Sequence, residues 1–486
     1  MVEVLREKHQ PSFHTLQSTN IDSASDVAEI QKCLLAWYDA NKRDLPWRRM
    51  AKVEDIDRRA YSVWVSEIML QQTQVATVIS YYNKWIKKWP TIKALSEATL
   101  EEVNELWSGL GYYSRARRLH EGVIKIMTKF NGHMPRNASE LHKEIPGIGR
   151  YTASAIASIS YGEVTGVVDG NVIRVLSRLR AIGAESNSKV AVEAICEINS
   201  GLTLFFMVCN YNAIQAVMEL GSTVCTPRNP NCSSCPINDY CLAFKQVNRH
   251  KTIETKLTKR SNSVRKDLIN NIQDIEEAPC VLCLPITYKW DPNLGVLNYP
   301  QKQAKKPSKE ETFFVCIVRQ LLYQDSNTPS YRFLLTQRPN TGLLAGMWQF
   351  PLVGVDKEWS PKKQRDTMLI YLHDELEIAT EMIQHHGRDI CEVPHIFSHL
   401  RHNYKVDYID ISPDIRLKSS STSGLSVKWV TDKELKKSAI TTVIRKIFQK
   451  FENHQSTKEQ KKSITKRSKN NKDSRSNQTS LLSYWK

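Results

Sequence analysis

The run CTPRNPNCSSCPINDYC constrains this chain more than any other stretch, because it spaces Cys225, Cys232, Cys235 and Cys241 as C-x6-C-x2-C-x5-C. Four thiolates so close in sequence share one compact loop. Structural zinc sites set two close pairs apart by a longer hairpin, and only one close pair exists here. The four corners of a [4Fe-4S] cube suit the spacing better. Four unrelated buried thiols are the plainer alternative, and the density of the run argues against them. The first residues, MVEVLREKHQ, lack the apolar stretch of a secretory signal, and no apolar run approaches the roughly 20 residues that cross a bilayer. A soluble, intracellular protein with no membrane partner is the expectation, and in a reducing compartment the 11 cysteines read as thiols or metal ligands rather than disulfides.

A length of 486 residues exceeds what one core usually organises, so two folded domains with linkers are expected. Residues 1–25 are polar and aperiodic and read as a flexible arm. Residues 26–245 carry helical periodicity, including one stripe through Trp64, Ile68, Val75, Ile79 and Tyr82 that reads as core. Residues 246–311 are charged and read as a connector. From Thr312 the period changes: TFFVCIVRQLLY, YRFLLTQRP, NYKVDYIDI and LSVKWVT read as strands and LIYLHDELEIATEMIQ as a helix, so residues 312–454 form a second domain of mixed type. Residues 455–486 are lysine-, serine- and asparagine-rich and read as a disordered basic tail. Lysine and arginine number 68 against 51 acidic residues; the net +17 favours a polyanionic partner, although the tail contributes part of it.

Ile145-Pro146-Gly147-Ile148-Gly149 reads as a turn between two helices. Gly147 and Gly149 let backbone approach a phosphate, and the helix starting near Arg150 aims free N–H groups at that anion. An ordinary helix connection is the alternative; the following arginine, the small-residue helix and the downstream cysteines weigh against it.

Five segments, SEIMLQQTQV, LWSGLGYYSRARRLH, IPGIGRYTASAIAS, VVDGNVIRVLSRL and MELGSTVCTP, together resemble the MutY adenine DNA glycosylases of the endonuclease III, or helix-hairpin-helix, superfamily, over roughly residues 30–245. The cysteine spacing resembles that superfamily too, in which the cluster is mainly structural and shapes a basic loop; Arg228 lies in the corresponding loop. The resemblance implies an all-α glycosylase domain followed by an α+β MutT/Nudix-like domain. It also implies hydrolysis of the bond between sugar and adenine mispaired with 8-oxoguanine or guanine in double-stranded DNA. Such a cleavage needs an acid for the leaving base and a negative charge beside the oxocarbenium-like sugar. Glu67 and Asp169 match those roles, with Tyr151 and Asn171 lining the same site. Glu67 lies beside its helix's apolar stripe, where a carboxyl can have a raised pKa and donate. Gln72 and Tyr112 match wedge residues that fill the gap left by a flipped base, and Arg43, Leu45, Trp47, Arg48 and Glu219 match positions around the adenine pocket.

Tyr151 separates two enzymatic readings. Lyases of the superfamily carry a lysine there whose amine attacks the sugar, so tyrosine implies a monofunctional enzyme that leaves an intact abasic site. An endonuclease III-like lyase acting on oxidised pyrimidines is the runner-up, and a non-catalytic DNA-binding adaptor the reading from another class. Ile214 departs from the family's asparagine, which puts one local hydrogen bond in doubt.

LLTQRPNTGLLAGMWQFP resembles the MutT-like domain with which the family reads 8-oxoguanine, and Phe397-Ser398-His399 matches its lesion-contacting loop. Nothing between Gly342 and Glu381 supplies a Nudix box, so the fold without its hydrolase chemistry is expected. Cys280 and Cys283 resemble part of a zinc site in animal relatives, with a further connector cysteine missing. Gln478, Leu481, Tyr484 and Trp485 fit the Q-x-x-h-x-x-a-a pattern that binds the sliding clamp, proliferating cell nuclear antigen, and KKSITKRSK reads as a nuclear-import signal. A nuclear monomer is expected, and a mitochondrial form stays open.

Overall fold

The computed structural model describes His14 and residues 24–163, 165, 167–204, 211–258, 280–284, 288, 290–302, 308–325, 328–339, 342–397, 400–413, 424–438 and 440–457. The chain divides into two compact units. The first comprises Met1–Glu97 and Glu121–Lys305, the second Ala98–His120 and Lys306–Lys486.

Helices α1 (Ala24–Asn41), α2 (Pro46–Met50), α3 (Ile56–Leu70), α4 (Val75–Lys88) and α5 (Ile92–Ser96) open the first unit; α6 (Leu100–Trp107) belongs to the second, and α7 (Ser114–Lys129) crosses the division. The first unit continues with α8 (Ala138–Glu144), α9 (Arg150–Tyr161), α10 (Gly170–Leu179), α11 (Lys189–Leu204), α12 (Tyr211–Thr223) and α13 (Leu242–Thr258). Asp55 caps α3 by accepting from the Arg58 N–H, and every residue from Ala60 to Met69 is buried. The helix stops at Gln71, so the expected apolar stripe is two stripes on two helices. Trp64, Ile68 and Tyr82 are core as expected, whereas Val75 and Ile79 are half-buried and Val78 takes the buried place. One core gathers α1, α10, α11 and α12 around Ile30, Leu34, Leu176, Ile195 and Leu220, each such side chain contributing about 1.5–3 kcal/mol. Cys225, Cys235 and Cys241 pack against that core, which fixes the cysteine loop to α10 and α12.

The stretch expected as a connector from residue 246 is partly built into this unit. Helix α13 runs to Thr258, and Val247, Val296 and Tyr299 close a small core with Ala181 and Leu242. Its scattered apolar residues lack the periodicity that announces packing.

In the second unit a seven-stranded sheet has the order β3-β2-β1-β6-β5, with β4 paired to β1 and β7 to β2. Its strands are β1 (Lys309–Asp325), β2 (Thr328–Gln337), β3 (Trp348–Gln349), β4 (Leu352–Val355), β5 (Ile383–Ile396), β6 (Leu400–Ile411) and β7 (Val427–Thr431). Strands β1 and β6 run parallel, in register through Val315 and Val406; the other pairs are antiparallel. Helix α14 (Pro361–Leu376) sets Met368, Leu372 and Leu376 against Phe314, Cys316, Leu334 and Ile409. The expected helix LIYLHDELEIATEMIQ is therefore right only in its first half. Glu377 turns left-handed at φ 55° and ends it, and β5 starts at Ile383. Helix α15 (Asp432–Lys437) and helical residues 442–457, α16, complete the unit. Among the described residues no helix is long and apolar enough to cross a membrane.

Candidate active site and metal centres

The hairpin Ile145–Gly149 joins α8 to α9. Gly147 stands at φ 80°, where a side chain would be strained, whereas Gly149 is an extended N-cap with open space around it. Only Gly147 is glycine for conformational reasons. The first turn of α9 carries Tyr151, and α9 packs against α3, which carries Glu67.

Those two side chains meet in a cavity of about 350 Å³ whose lining includes Arg43, Leu45, Trp47, Arg48, Glu67, Gln72, Tyr151, Asp169, Asn171 and Glu219. The Tyr151 hydroxyl donates to the Glu67 carboxyl. Burial pushes Glu67 up to about 7; the Tyr151 hydrogen bond draws it down and the neighbouring Asp169 charge adds to the rise. With 8% of its surface exposed, Glu67 is a carboxyl that still holds its proton near neutrality. Burial and the two acids push the Tyr151 phenol well above its ordinary value, so it remains a donor.

Asp169 is the N-cap of α10. Its Oδ1 accepts from the Asn171 and Val172 N–H groups at 2.8 and 2.7 Å, and its Oδ2 from Asn171 Nδ2 at 2.7 Å. Asn171 is held in turn: Oδ1 accepts from Arg174 Nη2 at 2.7 Å, and a Cβ on Gly221 of α12 would come within 2.7 Å of its own Cβ. The cavity thus offers a protonated carboxyl and a triply bonded carboxylate to one ligand, the pairing that glycosidic cleavage requires.

At another part of the lining, Glu219 is 1% exposed and accepts from Arg43 Nε at 2.6 Å and Arg48 Nη2 at 2.7 Å. Burial alone would raise its carboxyl, but the two guanidiniums outweigh burial and hold it below the usual range. Arg48 also reaches Gln215 Oε1 at 3.4 Å. Trp47 stacks edge-on to Tyr82, 5.5 Å between ring centres. Gln72 sits in the α3–α4 turn at φ 54°, exposed. Ile214, in place of an asparagine, is buried with Ala155 and Val167 in an apolar cluster against which Tyr151 packs.

The four-cysteine loop borders a small cavity lined by Cys225, Cys232, Cys235, Cys241, Arg178, Val224, Phe244 and Val296. Burial pushes the Cys235 thiol to about 11 and the Cys241 thiol to about 12. Four thiols facing one small cavity ionise together only around a strongly positive centre, which is what a cluster's iron would supply. Arg178 Nη1 lies 3.3 Å from Cys225 Sγ and donates to the Thr226 carbonyl at 2.8 Å, a contact suited to a cluster thiolate. Arg228 lies exposed in this loop.

Among the described residues, the one set of three candidate metal ligands within 4.8 Å of one another is His14, Cys280 and Cys283. His14 Nδ1 lies 2.8 Å from the Arg180 carbonyl and Nε2 lies 3.4 Å from Cys283 Sγ, so the first nitrogen is placed to donate and the second to ligate.

Tyr112 and Phe397 belong to the second unit. Tyr112 is 47% exposed at φ 48°. Phe397 heads the β5–β6 turn, its N–H donating to the Leu400 carbonyl at 2.8 Å. Ser398, His399 and the tail residues Gln478, Leu481, Tyr484 and Trp485 lie outside the described residues. Sequence reasoning missed Arg174, Arg178 and Gln215, although arginines four apart on a helix face were a visible signal. It also missed His14, which nothing in the surrounding sequence marks.

The chain matches the HhH-GPD superfamily base excision DNA repair protein family over residues 65–198, the iron-sulfur binding domain of endonuclease III over 225–241 and the NUDIX domain over 326–450. It is 45% identical to an adenine DNA glycosylase of Rattus norvegicus over 437 residues, covering 88% of this chain and 79% of the relative. Against an adenine DNA glycosylase of Homo sapiens the identity is 42% over 454 residues, covering 93% and 78%. A solved thermostable thymine-DNA glycosylase aligns with 46% of this chain and 100% of its own at 22% identity, with a TM-score of 0.40.

Proposed function

Since the chain belongs to the adenine DNA glycosylase family, we propose that its cavity receives an adenine flipped out of a duplex in which it is mispaired with 8-oxoguanine or guanine. The chain is a DNA N-glycosylase of base excision repair that holds an iron-sulfur cluster. Glu67 donates its proton to an imidazole-ring nitrogen of the adenine as the bond to the sugar breaks, and the base leaves with the bonding electrons. Asp169 steadies the cationic sugar until water adds, yielding free adenine and an abasic site. Tyr151 keeps Glu67 oriented, and no amine stands in its place to form a Schiff base, which favours a monofunctional enzyme. One observation carries this reading: a single cavity is lined by Glu67, which is 8% exposed, together with Tyr151 and Asp169.

Cys225, Cys232, Cys235 and Cys241 would hold a [4Fe-4S] cluster that supplies folding energy and a rigid basic loop, and no bond-breaking step passes through it. Gln72 and Tyr112 would fill the gap in the duplex, and Phe397, Ser398 and His399 would contact the lesion strand. His14, Cys280 and Cys283 would hold a zinc ion. The segment 478–485 would bind the sliding clamp, and the basic tail would direct a monomer to the nucleus, with a mitochondrial form as a second destination.

Single-turnover release of adenine from A:8-oxoguanine and A:guanine duplexes tests the reading. Release should be faster from the first and nearly lost in Glu67→Gln with duplex affinity retained. Efficient borohydride trapping, or full activity without Glu67, would sink it.

A further inference from the structure

The second unit takes in Ala98–His120, and its sheet-bearing part grips that segment at two points. At the first, Glu101 near the start of α6 accepts from Trp348 Nε1 at 3.1 Å and from Lys428 Nζ at 2.8 Å, with the Lys428 ammonium 4.1 Å from the Trp348 ring centre. At the second, Ser108, which ends α6, donates its hydroxyl to the Ile440 carbonyl at 3.2 Å and accepts from Arg445 Nη2 at 3.0 Å. Trp348 and Ile440 are themselves paired by an isolated bridge, so both grips share one framework.

The loop that leaves Ser108 is unusually well tied. Gly109, Gly111 and Tyr112 all have positive φ, at 100°, 78° and 48°. The buried Arg115 guanidinium gathers the carbonyls of Leu110, Gly111 and Tyr112 at 3.4, 3.0 and 3.4 Å. Trp107 Nε1 donates to the Gly111 carbonyl at 3.0 Å, and the Gly109 N–H donates to the Tyr113 hydroxyl at 3.2 Å. A loop tied this closely moves as one piece with its base, and the side chain it presents to solvent is Tyr112.

We infer that Arg445 and Trp348 are positioning residues for Tyr112: the sheet of the second unit, through Ser108 and Glu101, sets where the exposed tyrosine stands when duplex DNA binds. The inference rests on the reading of Tyr112 as a wedge. It makes the placement of the wedge a property of the MutT-like fold rather than of the loop's own sequence, and gives α6 the role of the lever between them.

Hydrogen–deuterium exchange on the full-length, cluster-loaded chain decides the anchoring without reference to activity. Combining Trp348→Phe, which deletes the donor to Glu101 and keeps an aromatic ring there, with Arg445→Met should raise exchange of the 108–113 amides about tenfold or more and leave α3 and α9 unchanged. In duplex binding, the double variant should weaken affinity for an A:8-oxoguanine duplex about five- to tenfold, and that loss should vanish in a Tyr112→Ala background. Arg445→Lys should recover part of it. Unchanged exchange overturns the anchoring, and additive losses with Tyr112→Ala overturn the route through Tyr112. A Tyr112→Ala variant that binds and excises like the parent overturns the wedge reading instead, and exchange still decides whether the anchors hold the loop.

Discussion

Glu67→Gln should make the protein almost inactive and, at alkaline pH, more stable. Burial pushes the Glu67 carboxyl from 4.5 up to about 7 on folding. Between those values the folded chain keeps a proton that the unfolded chain has released, so the stability present below the lower value is lost as pH rises through the upper one. The full loss is about 3 kcal/mol, from about 1.4 kcal/mol for each pH unit separating the two values. About 1.4 kcal/mol of it is already spent at roughly pH 5.5, which leaves about 2 kcal/mol to be lost by roughly pH 8.5. Glutamine has no charge to bury and escapes this loss. At roughly 2–4 °C per kcal/mol for a unit of this size, the melting midpoint of the variant should gain about 4–8 °C on the parent between those pH values. Scanning calorimetry of both cluster-loaded proteins at both pH values reads the difference, in which titrating groups remote from Glu67 cancel. Adenine release should fall about a hundred- to ten-thousand-fold in the same variant. A gap in midpoint that stays constant or narrows toward alkaline pH refutes the argument, because it means that folding does not hold the proton on Glu67.

Tyr151→Phe removes the hydrogen bond that draws Glu67 down, so the alkaline fall in single-turnover excision should move about one pH unit higher; a move to lower pH contradicts the assignment. Gly221→Ala sets a Cβ 2.7 Å from that of Asn171 and should displace the Asp169 carboxylate. Quenched-flow excision should then fall about tenfold to a hundredfold with duplex affinity intact. Arg178→Met deletes the contacts to Cys225 Sγ and the Thr226 carbonyl, and should lower the iron and sulfide bound per chain and the visible absorbance; full cluster content refutes a holding role. Mutating Cys283 to Ser should lower bound zinc in elemental analysis while leaving iron unchanged.

What the sequence made legible divides along a physical line. Chemistry that lies in residue type at close spacing was visible: the cysteine run, the hairpin glycines, and Glu67 beside an apolar stripe. Interactions between residues far apart in sequence were not. That Tyr151 donates to Glu67, and that Ile214 joins the apolar cluster behind Tyr151, depends on how α9 and α12 pack, which no local period encodes. The error at α3 and α4 has the same origin, because a stripe continues in register across a short turn without the turn announcing itself. Strand β5 escaped notice because IQHHGRDICEVPHI is polar and holds its place by pairing with β6 rather than by burial. His14 is the extreme case: its significance arises wholly from Arg180 and Cys283.

Helix α10 explains why a cofactor loop can matter to a reaction it does not join. Asn171, Arg174 and Arg178 step along one face of the helix at intervals of three and four. Arg178 reaches Cys225 Sγ; Arg174 binds the Cys225 carbonyl at 2.8 Å, the Gly221 carbonyl at 2.7 Å and Asn171 Oδ1; Asn171 binds Asp169. Each arginine spans from the cysteine loop or the end of α12 to the helix, so the loop's shape fixes the face that orients the carboxylate. A long, flexible arginine is worth its entropy here only if the carbonyls it meets are rigid. A cluster held by the four cysteines would make them so. Loss of iron should therefore lower excision through Asp169 geometry before it unfolds the helix, and a loop held rigid by other means should restore the rate without any iron.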